Sequence, residues 1–366
     1  MINPMRNIRV SIAAIFFLLL SVGVVMIYSS SGIYARETFG DAAYFLNRHL
    51  IFMAIGFVCM LGVMMMDYRR LQPLAKPLLI ITIIMLILVL IPHIGKASYG
   101  ARRWFKFGPI SFQPSEFMKL VILVYVADYL ARRKSQISDF FKGFLPPILV
   151  LGLVCGLIVI QPDLGNCLLI GVITLILLFI AGARLSHLCS LGLLAVPAVY
   201  LLIVKEPYRL RRIVAFLNPW EDSQGAGFQL IQSQIGFGSG GIFGVGAGQS
   251  VQKLFYLPAA HTDFILSIIG EEFGLIGTMI VVMLFVAFVW QGARVAKRTE
   301  DPFGYFLAIG IVATIGLQSL INIGVSIGAF PTKGLPLPFI SYGGSALIFN
   351  MMAVGLLLNI SRTQDL

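Results

Sequence analysis

Carboxylate side chains at the edges of apolar segments are the residues of this 366-residue chain best suited to chemistry. The segment PAAHTDFILSIIGEEFG places Asp263 at the start of a long apolar run and Glu271 and Glu272 inside it. Ionisable groups beside or within a membrane span are costly and are usually kept for a function. Such a carboxylate can accept a proton as a general base, bind a cation or cap a helix.

The spacing within this segment predicts a shared groove. Asp263 and Glu271 are eight residues apart, which is about 12 Å along a helix and roughly 80° around it. We therefore expect both side chains to line one groove, with Glu272 turned further away. Thr262 could cap the helix, which would leave Asp263 facing the loop. Carboxylates at this depth need partners, which basic groups or hydroxyls of other segments could supply.

Two further segments place carboxylates at the start of apolar runs. In QPSEFMK, Glu116 and Lys119 are three residues apart and are predicted to form an ion pair on one helical face. The alternative there is a capping arrangement in which Ser115 and Glu116 satisfy the helix start. In QPDLG, Asp163 could cap the following helix, belong to a site, or do both.

A turn rich in proline and glycine, PTKGLPLPFISYGGS at 331–345, carries one charged residue, Lys333, together with Ser341. Irregular backbone at the edge of a membrane is tolerated where it lines a cavity. A structural turn is possible, but a single lysine opposite several carboxylates favours an ion pair or a phosphate ligand.

Apolar helices must position all of these residues. The chain is 58% hydrophobic and only 12% charged, whereas soluble domains carry about 25% charged residues. Apolar runs near the length that crosses a bilayer recur throughout it. The sequence predicts an all-α polytopic membrane protein, one domain over 1–366, with ten transmembrane helices at about 10–29, 48–66, 77–92, 115–131, 145–160, 164–181, 188–204, 264–290, 304–329 and 340–360.

The charge pattern predicts the orientation. With ten spans both termini lie on one side, and every loop on that side contains Lys or Arg, so this side is predicted to be cytoplasmic. Positive charge should be scarce on the other side, yet its two longest loops contain the clusters GARRW and YRLRR. Snorkelling side chains at helix ends are the alternative explanation. Grouped arginines favour an anionic, membrane-tethered substrate, bound by Arg102, Arg103, Arg209, Arg211 and Arg212.

The large extracytoplasmic loop between the seventh and eighth helices is not uniformly polar. Its residues 228–237 predict a short amphipathic helix at the interface. The glycines that follow allow a tight backbone path close to a ligand or to neighbouring helices. They form neither a Walker A loop nor a dinucleotide-binding fingerprint, so we predict no nucleotide site and no nucleic-acid partner.

Six segments carry a resemblance over essentially the whole chain. They are GARRWFKFGPISFQPSEFMK, QPDLG, YRLRRIVAFLNPWEDSQGAGFQLIQS, FGVGAGQSVQKLFYLPAAHTDF, EEFG and PTKGLPLPFISYGGS. In their type and order the chain resembles the SEDS family (shape, elongation, division and sporulation), the polytopic peptidoglycan glycosyltransferases of bacteria. It is most similar to the cell-division branch, with the sporulation and rod-shape branches as alternatives.

The resemblance implies a reaction and roles for particular residues. The substrate would be lipid II, a disaccharide-peptide on undecaprenyl pyrophosphate, and undecaprenyl pyrophosphate would be released with inversion. The essential aspartate of the family falls on Asp263, as base or, failing that, in metal or substrate positioning. Family positions sensitive to change fall on Glu116, Lys119, Asp163 and Lys333. Supporting roles go to His261, Thr262, Glu271 and Ser341.

Cofactor, partners and location follow from the same resemblance. Carboxylates facing a pyrophosphate are consistent with Mg²⁺ or Mn²⁺, because hard cations prefer oxygen ligands, and Asp263 is the candidate ligand. The expected partners are a class B penicillin-binding protein transpeptidase, other divisome membrane proteins and membrane lipids. The expected place is the bacterial cytoplasmic membrane at the division septum. A lipid II flippase, which Glu271 and Glu272 would suit best, and a non-catalytic scaffold are the alternatives.

Overall fold

The computed structural model describes residues 4–98, 101–108, 110–258 and 260–363. In these residues the chain forms twelve α-helices and three short strands. The helices are α1 (Pro4–Phe39), α2 (Tyr44–Met65), α3 (Leu71–Leu88), α4 (Pro114–Arg133), α5 (Leu145–Ile160), α6 (Leu164–Ile180), α7 (Leu185–Val204), α8 (Pro207–Leu217), α9 (Phe228–Gly240), α10 (Ile265–Arg298), α11 (Pro302–Ser326) and α12 (Gly344–Thr363). The strands are β1 (Lys96–Ser98), β2 (Ala101–Phe107) and β3 (Ile110–Phe112).

Each of the ten predicted spans coincides with a long helix, which confirms the all-α polytopic architecture. Among the described residues, eight helices are long and apolar enough to cross a membrane. The other two predicted spans are α6, which has 17 residues, and α4, which carries Glu116, Lys119 and Asp128 among its apolar residues. These charges are buried inside the bundle, so α4 is a helix of the protein core.

The helices pack around a buried centre formed by α4, α11 and α12. α12 packs along α2, and α11 packs along both α10 and α4. In the most apolar stretch of α12, 83% of the residues are buried, whereas no residue is buried in the corresponding stretch of α7. α7 is therefore a peripheral helix, and the polar groups on α4, α11 and α12 lie in the interior. We call the end of the bundle that carries residues 93–113 and 205–264 the loop end.

A three-stranded antiparallel sheet occupies the first long loop, where the sequence predicted no regular structure. The strand order is β1-β2-β3, and Arg102 pairs with Ala97. Side chains alternate between the two faces of a strand. Ala101 and Phe105 are buried while Arg102 and Lys106 are exposed, so Arg103 lies on the inward face and Arg102 on the outward face.

The helix predicted at 228–237 is confirmed by α9, and the glycines after it contact a neighbouring helix. α10 is broken at Gly274, where φ is 66° and ψ is −161°. Residues 241–246 run beside this break. They supply the hydrogen bonds that the helix loses: Val245 N to Glu271 O (2.9 Å), Gly246 N to Glu272 O (3.1 Å), Leu275 N to Gly241 O (2.9 Å) and Ile276 N to Ile242 O (3.2 Å). A broken helix is tolerated at membrane depth when neighbouring backbone satisfies its polar groups.

This close approach predicts opposite effects for two glycines of α9. A Cβ on Gly240 would lie 2.9 Å from the Cα of Glu271 and would collide with the carbonyl oxygen of Gly270, whereas one on Gly238 meets nothing within 4 Å. We expect Gly240→Ala to destabilise the protein by about 1–3 kcal/mol, as overpacked positions do. Gly238→Ala is the matched control and should be neutral or stabilising, because alanine favours helix. Thermal unfolding in detergent measures both, and equal losses would contradict the packing argument.

Candidate functional site

A cavity of about 260 Å³ lies at the loop end, among α6, α7, α8, β2 and the turn at 331–334. These elements bring together charged residues that are far apart in the sequence. Five of the residues singled out from the sequence line it: Arg103, Asp163, Arg209, Arg212 and Lys333. Four cations facing one carboxylate make the cavity strongly attractive to an anion.

Backbone carbonyl groups hold the three arginines in place. Arg103 Nε donates to the carbonyl of Gln161 at 2.8 Å and its Nη2 to that of Pro162 at 2.5 Å. Arg209 Nη1 donates to the carbonyl of Leu202 at 2.8 Å. A guanidinium has five N–H donors, so each arginine keeps donors for a ligand.

Arg212 and Lys333 connect α8 to the turn at 331–334. Arg212 Nη1 donates to the carbonyl of Thr332 at 3.2 Å, and its guanidinium lies 4.6 Å above the ring of Tyr208. Burial lowers the pKa of the Lys333 ammonium below its usual value. A bound anion would offset that burial cost, which makes Lys333 a suitable ligand for a phosphate group.

Two predicted arginines do not reach the cavity. Arg102 is exposed because it lies on the outward face of β2. Arg211 is exposed because successive residues of a helix are about 100° apart, so Arg209 and Arg212 share one face of α8 and Arg211 points away. The cavity therefore brings together three of the five predicted arginines and not these two.

Asp263 lies just before α10 and is half-buried. Its backbone carbonyl accepts from Asn322 Nδ2 at 2.9 Å. Its carboxylate borders the cavity-lining turn, since a Cβ on Gly334 would be 3.6 Å from Asp263 Oδ2. Burial raises the pKa of Asp263 to about 6, and the nearby Arg212 partly opposes this. A carboxylate with a pKa near neutrality is well suited to general-base chemistry.

The residues around Asp263 fix its backbone. α10 begins at Ile265 with Phe264 as the capping residue and no side-chain cap, so the alternative in which Thr262 caps the helix is wrong. The ring of His261 packs 4.4 Å from that of Phe45, and its carbonyl accepts from Tyr342 N at 2.9 Å. Burial lowers the pKa of His261 to about 4, so the imidazole is neutral at pH 7 and acts by packing.

A buried polar network links α4, α6 and α11 beneath the cavity. The predicted ion pair is confirmed, with Lys119 Nζ 2.7 Å from Glu116 Oε2. The predicted helix cap is also confirmed, because Asp163 accepts from the backbone N–H of Asn166. The capping role of Ser115 is wrong: α4 begins at Pro114, and Ser115 Oγ donates to Asp163 Oδ2 at 3.1 Å.

Four amide side chains complete this network, and the sequence reasoning missed all of them. Asn166 Nδ2 donates to Asp163 Oδ2 at 2.9 Å and lies 3.2 Å from Glu116 Oε1. Gln113 Nε2 also donates to Asp163 Oδ2, at 3.0 Å. The other two amides bind the turn: Gln318 Nε2 donates to Pro336 O and Asn322 Nδ2 to Leu335 O, both at 2.8 Å. Three of these amides lie inside otherwise apolar helices, which was the available signal.

Ser341 shapes the same turn, because its hydroxyl accepts from the backbone N–H of Leu337 at 2.9 Å. Its position is therefore explained by local structure. Gly165 shows how closely the turn packs on α6: a Cβ there would be 2.9 Å from the carbonyl oxygen of Lys333.

Glu271 and Glu272 bind residues 241–253, which we call the glycine-rich segment, so the predicted groove shared by Asp263 and Glu271 is wrong. Glu271 is buried and accepts from Ser250 Oγ and from the backbone N–H groups of Val251 and Gln252. Glu272 pairs with Lys253 at 2.8 Å and accepts from Ser29 Oγ at 2.7 Å. The expected basic and hydroxyl partners thus exist. The helical spacing argument failed because Asp263 lies outside α10.

The residues present do not fit a metal ion held by the protein alone. Over the described ranges, no group of three or more His, Cys, Asp or Glu side chains is arranged to hold one. The oxygens of Asp163 are already occupied by N–H and O–H donors.

Known proteins resemble the chain along nearly all of its length. The family model FTSW_RODA_SPOVE, described as "Cell cycle protein", matches residues 9–366. The probable peptidoglycan glycosyltransferase FtsW of Geobacter sulfurreducens is 47% identical over 339 residues, which cover 93% of this chain and 91% of that protein. Stage V sporulation protein E of Bacillus subtilis is 43% identical over 348 residues, 95% of each chain.

Solved structures share the fold. One chain from a study of polymerization and crosslinking by a peptidoglycan synthase complex superposes with a TM-score of 0.78 at 30% identity, covering 95% of this chain and 97% of that one. The rod shape determining protein RodA of Thermus thermophilus gives a TM-score of 0.72 at 26% identity, covering 96% of both chains.

Proposed function

This chain belongs to the FtsW/RodA/SpoVE family, the SEDS family, and on that premise we propose that it is a peptidoglycan glycosyltransferase that polymerises lipid II with Asp263 as its base. The observation that carries the proposal is the position of Asp263. This half-buried carboxylate, with a pKa of about 6, borders a turn that also lines the four-cation cavity. The similarity to FtsW proteins supports a role in septal wall synthesis during cell division.

The reaction joins two lipid-linked molecules. The 4-hydroxyl oxygen of the acceptor GlcNAc forms a bond to the anomeric carbon of the donor MurNAc. The bond between that carbon and the pyrophosphate oxygen breaks, and undecaprenyl pyrophosphate leaves from the opposite face, which inverts the centre. Asp263 takes the hydroxyl proton, and a base in this position typically contributes about 10²–10⁴-fold in rate.

The cavity cations stabilise the leaving pyrophosphate. Negative charge grows on the leaving oxygen as its bond breaks, and Arg103, Arg209, Arg212 and Lys333 are placed to receive it. Because backbone carbonyls already fix the arginines, they need little reorganisation during the reaction, which is the basis of electrostatic catalysis. Asp163 also lines the cavity, and its hydrogen bonds to Gln113, Ser115 and Asn166 fix its carboxylate.

The observation that favoured a transporter has another explanation. Glu271 and Glu272 were the charges deep enough for a transmembrane path, and they hold the glycine-rich segment against α10. The charges of the cavity gather at the loop end. Polymerisation therefore accounts for the charged residues better than lipid flipping does.

The chain is a multi-pass membrane protein, and its orientation and partners belong to the proposal. The basic loops at the end opposite the loop end support cytoplasmic termini, and in that orientation the cavity would face the outer side. The similarity to FtsW proteins supports a location at the division septum. The similarity to a chain of a peptidoglycan synthase complex supports a class B penicillin-binding protein transpeptidase as partner. The other proposed partners are further divisome membrane proteins and the lipids of the bilayer.

The pH dependence of polymerisation tests this function. Asp263 accepts a proton only when ionised, so the rate should rise with pH through about 6 and level off near 7, given its raised pKa. The assay uses the purified protein with its transpeptidase partner and labelled lipid II, and it measures polymer formed per minute. Thermal unfolding over the same pH range is the control for denaturation. No polymer at any pH, or a flat profile between pH 5 and 7, would contradict the proposal.

A further inference from the structure

A second cavity, of about 450 Å³, opens between α1, α10 and the glycine-rich segment. Its polar lining includes Tyr28, Ser29, Arg36, Lys253 and Glu272. We call it the α1–α10 mouth. None of its lining residues lines the four-cation cavity, so the two are separate openings.

The mouth continues into an apolar groove between the same two helices. This α1–α10 groove has a volume of about 340 Å³, and Val25 and Phe273 line both it and the mouth. Val22, Met26, Gly277 and Ile280 add apolar or small surface deeper along the helices. A slot that is apolar within a membrane span and polar at its end fits a lipid whose chain lies in the slot and whose headgroup lies at the mouth.

The charge of the mouth favours an anionic headgroup. Lys253 and Glu272 form a buried ion pair and cancel each other. Arg36 is exposed, and among the described residues no hydrogen bond or ion pair involves its guanidinium. The mouth therefore carries one net positive charge on a side chain that can bind phosphate oxygens through two parallel N–H groups.

The mouth lies near the segment that carries Asp263. Ala42 lines the mouth, and three residues later the ring of Phe45 packs 4.4 Å from that of His261. Asp263 follows two residues later and borders the four-cation cavity through Gly334. A headgroup bound at Arg36 would thus extend toward the base from one opening, while a pyrophosphate bound among the four cations would extend toward it from the other.

We propose that the α1–α10 mouth and groove bind the acceptor substrate, an isoprenoid-linked disaccharide whose diphosphate contacts Arg36. This inference rests on the proposed polymerase function and assigns the four-cation cavity to the donor. The two openings differ as the two substrates differ. The donor loses its pyrophosphate and needs strong charge stabilisation, whereas the diphosphate of the acceptor stays intact and needs only an anchor.

Photo-crosslinking with labelled lipid II tests the acceptor site. A benzoylphenylalanine replaces Val25 in the groove or, as matched control, Val10 on the same helix; both valines are 60% exposed, and Val10 lines neither the groove nor the mouth. The experiment uses the full-length protein carrying Asp263→Asn, so the result does not depend on turnover. We expect saturable labelling at position 25 and only background labelling at position 10.

Competition and a charge variant identify the ligand. Unlabelled lipid II should suppress labelling at position 25, and Arg36→Gln should weaken this competition about tenfold, as expected for one charge-assisted contact. Equal labelling at positions 10 and 25, equal competition by phosphatidylglycerol, or equal competition by a preformed lipid-linked glycan would each overturn the acceptor assignment. A protein that labels at position 25 but whose active form makes no polymer would instead contradict the polymerase function alone.

Discussion

Asp263→Asn should reduce the rate of lipid II polymerisation by about 10²–10⁴-fold, the usual contribution of a general base. The amide has nearly the same shape as the carboxylate but cannot accept the hydroxyl proton. The fold should survive, because the structural contact made by this residue uses its backbone carbonyl, which accepts from Asn322. Burial also disfavours the charged carboxylate, so its removal should not lower the thermal unfolding temperature.

The matched control for this variant is Glu206→Gln, which neutralises an exposed carboxylate at the loop end outside the cavity. It should leave the rate unchanged. The measurement is polymer formed per minute with the transpeptidase partner present, together with the unfolding temperature of each variant. A neutral Asp263→Asn would contradict the base role and favour a non-catalytic scaffold. A variant that loses both activity and stability would assign Asp263 a structural role.

Hydropathy was sufficient to predict the helical framework, because a span must be long and apolar to satisfy its backbone in a bilayer. It was not sufficient for the first long loop. β1 and β3 have three residues each, too few to show a period. In β2 two adjacent arginines are followed by two adjacent aromatic residues, so its sequence ARRWFKF does not alternate cleanly between apolar and polar residues. Arg102 was therefore assigned to the site although its strand turns it outward.

The candidate site was predictable where it depends on local spacing. The pair of Glu116 and Lys119 and the cap by Asp163 follow from positions three residues apart. Contacts between distant segments were not predictable: nothing local indicates that Lys253 pairs with Glu272 or that Asn166 lies beside Glu116. These contacts depend on how α4, α6, α10 and the glycine-rich segment pack, which a single sequence does not encode in any short pattern.

The buried pair on α4 should give the largest effect on stability. Glu116 and Lys119 are each 4% exposed and 2.7 Å apart. Lys119→Met would leave the Glu116 carboxylate buried without its counter-ion, which typically costs about 3–5 kcal/mol. We expect a large fall in the thermal unfolding temperature. Lys134→Met at the end of the same helix is the control: Lys134 is exposed, and substitutions of exposed residues usually change stability by no more than about 0.5 kcal/mol.

A double variant separates a structural role of this pair from a role in substrate binding. Glu116→Gln with Lys119→Met removes both charges together, and the new amide oxygen can still accept from Asn166 as the Glu116 carboxylate does at 3.2 Å. The double variant should regain most of the stability that Lys119→Met loses, because replacing a buried ion pair by neutral side chains often changes stability little. If the pair only supports α4, the turn and Asp163 above it, polymerisation should recover as well. A double variant that is stable but inactive would instead show that these charges act on the substrate. A loss of stability no smaller than that of Lys119→Met alone would contradict the ion-pair explanation.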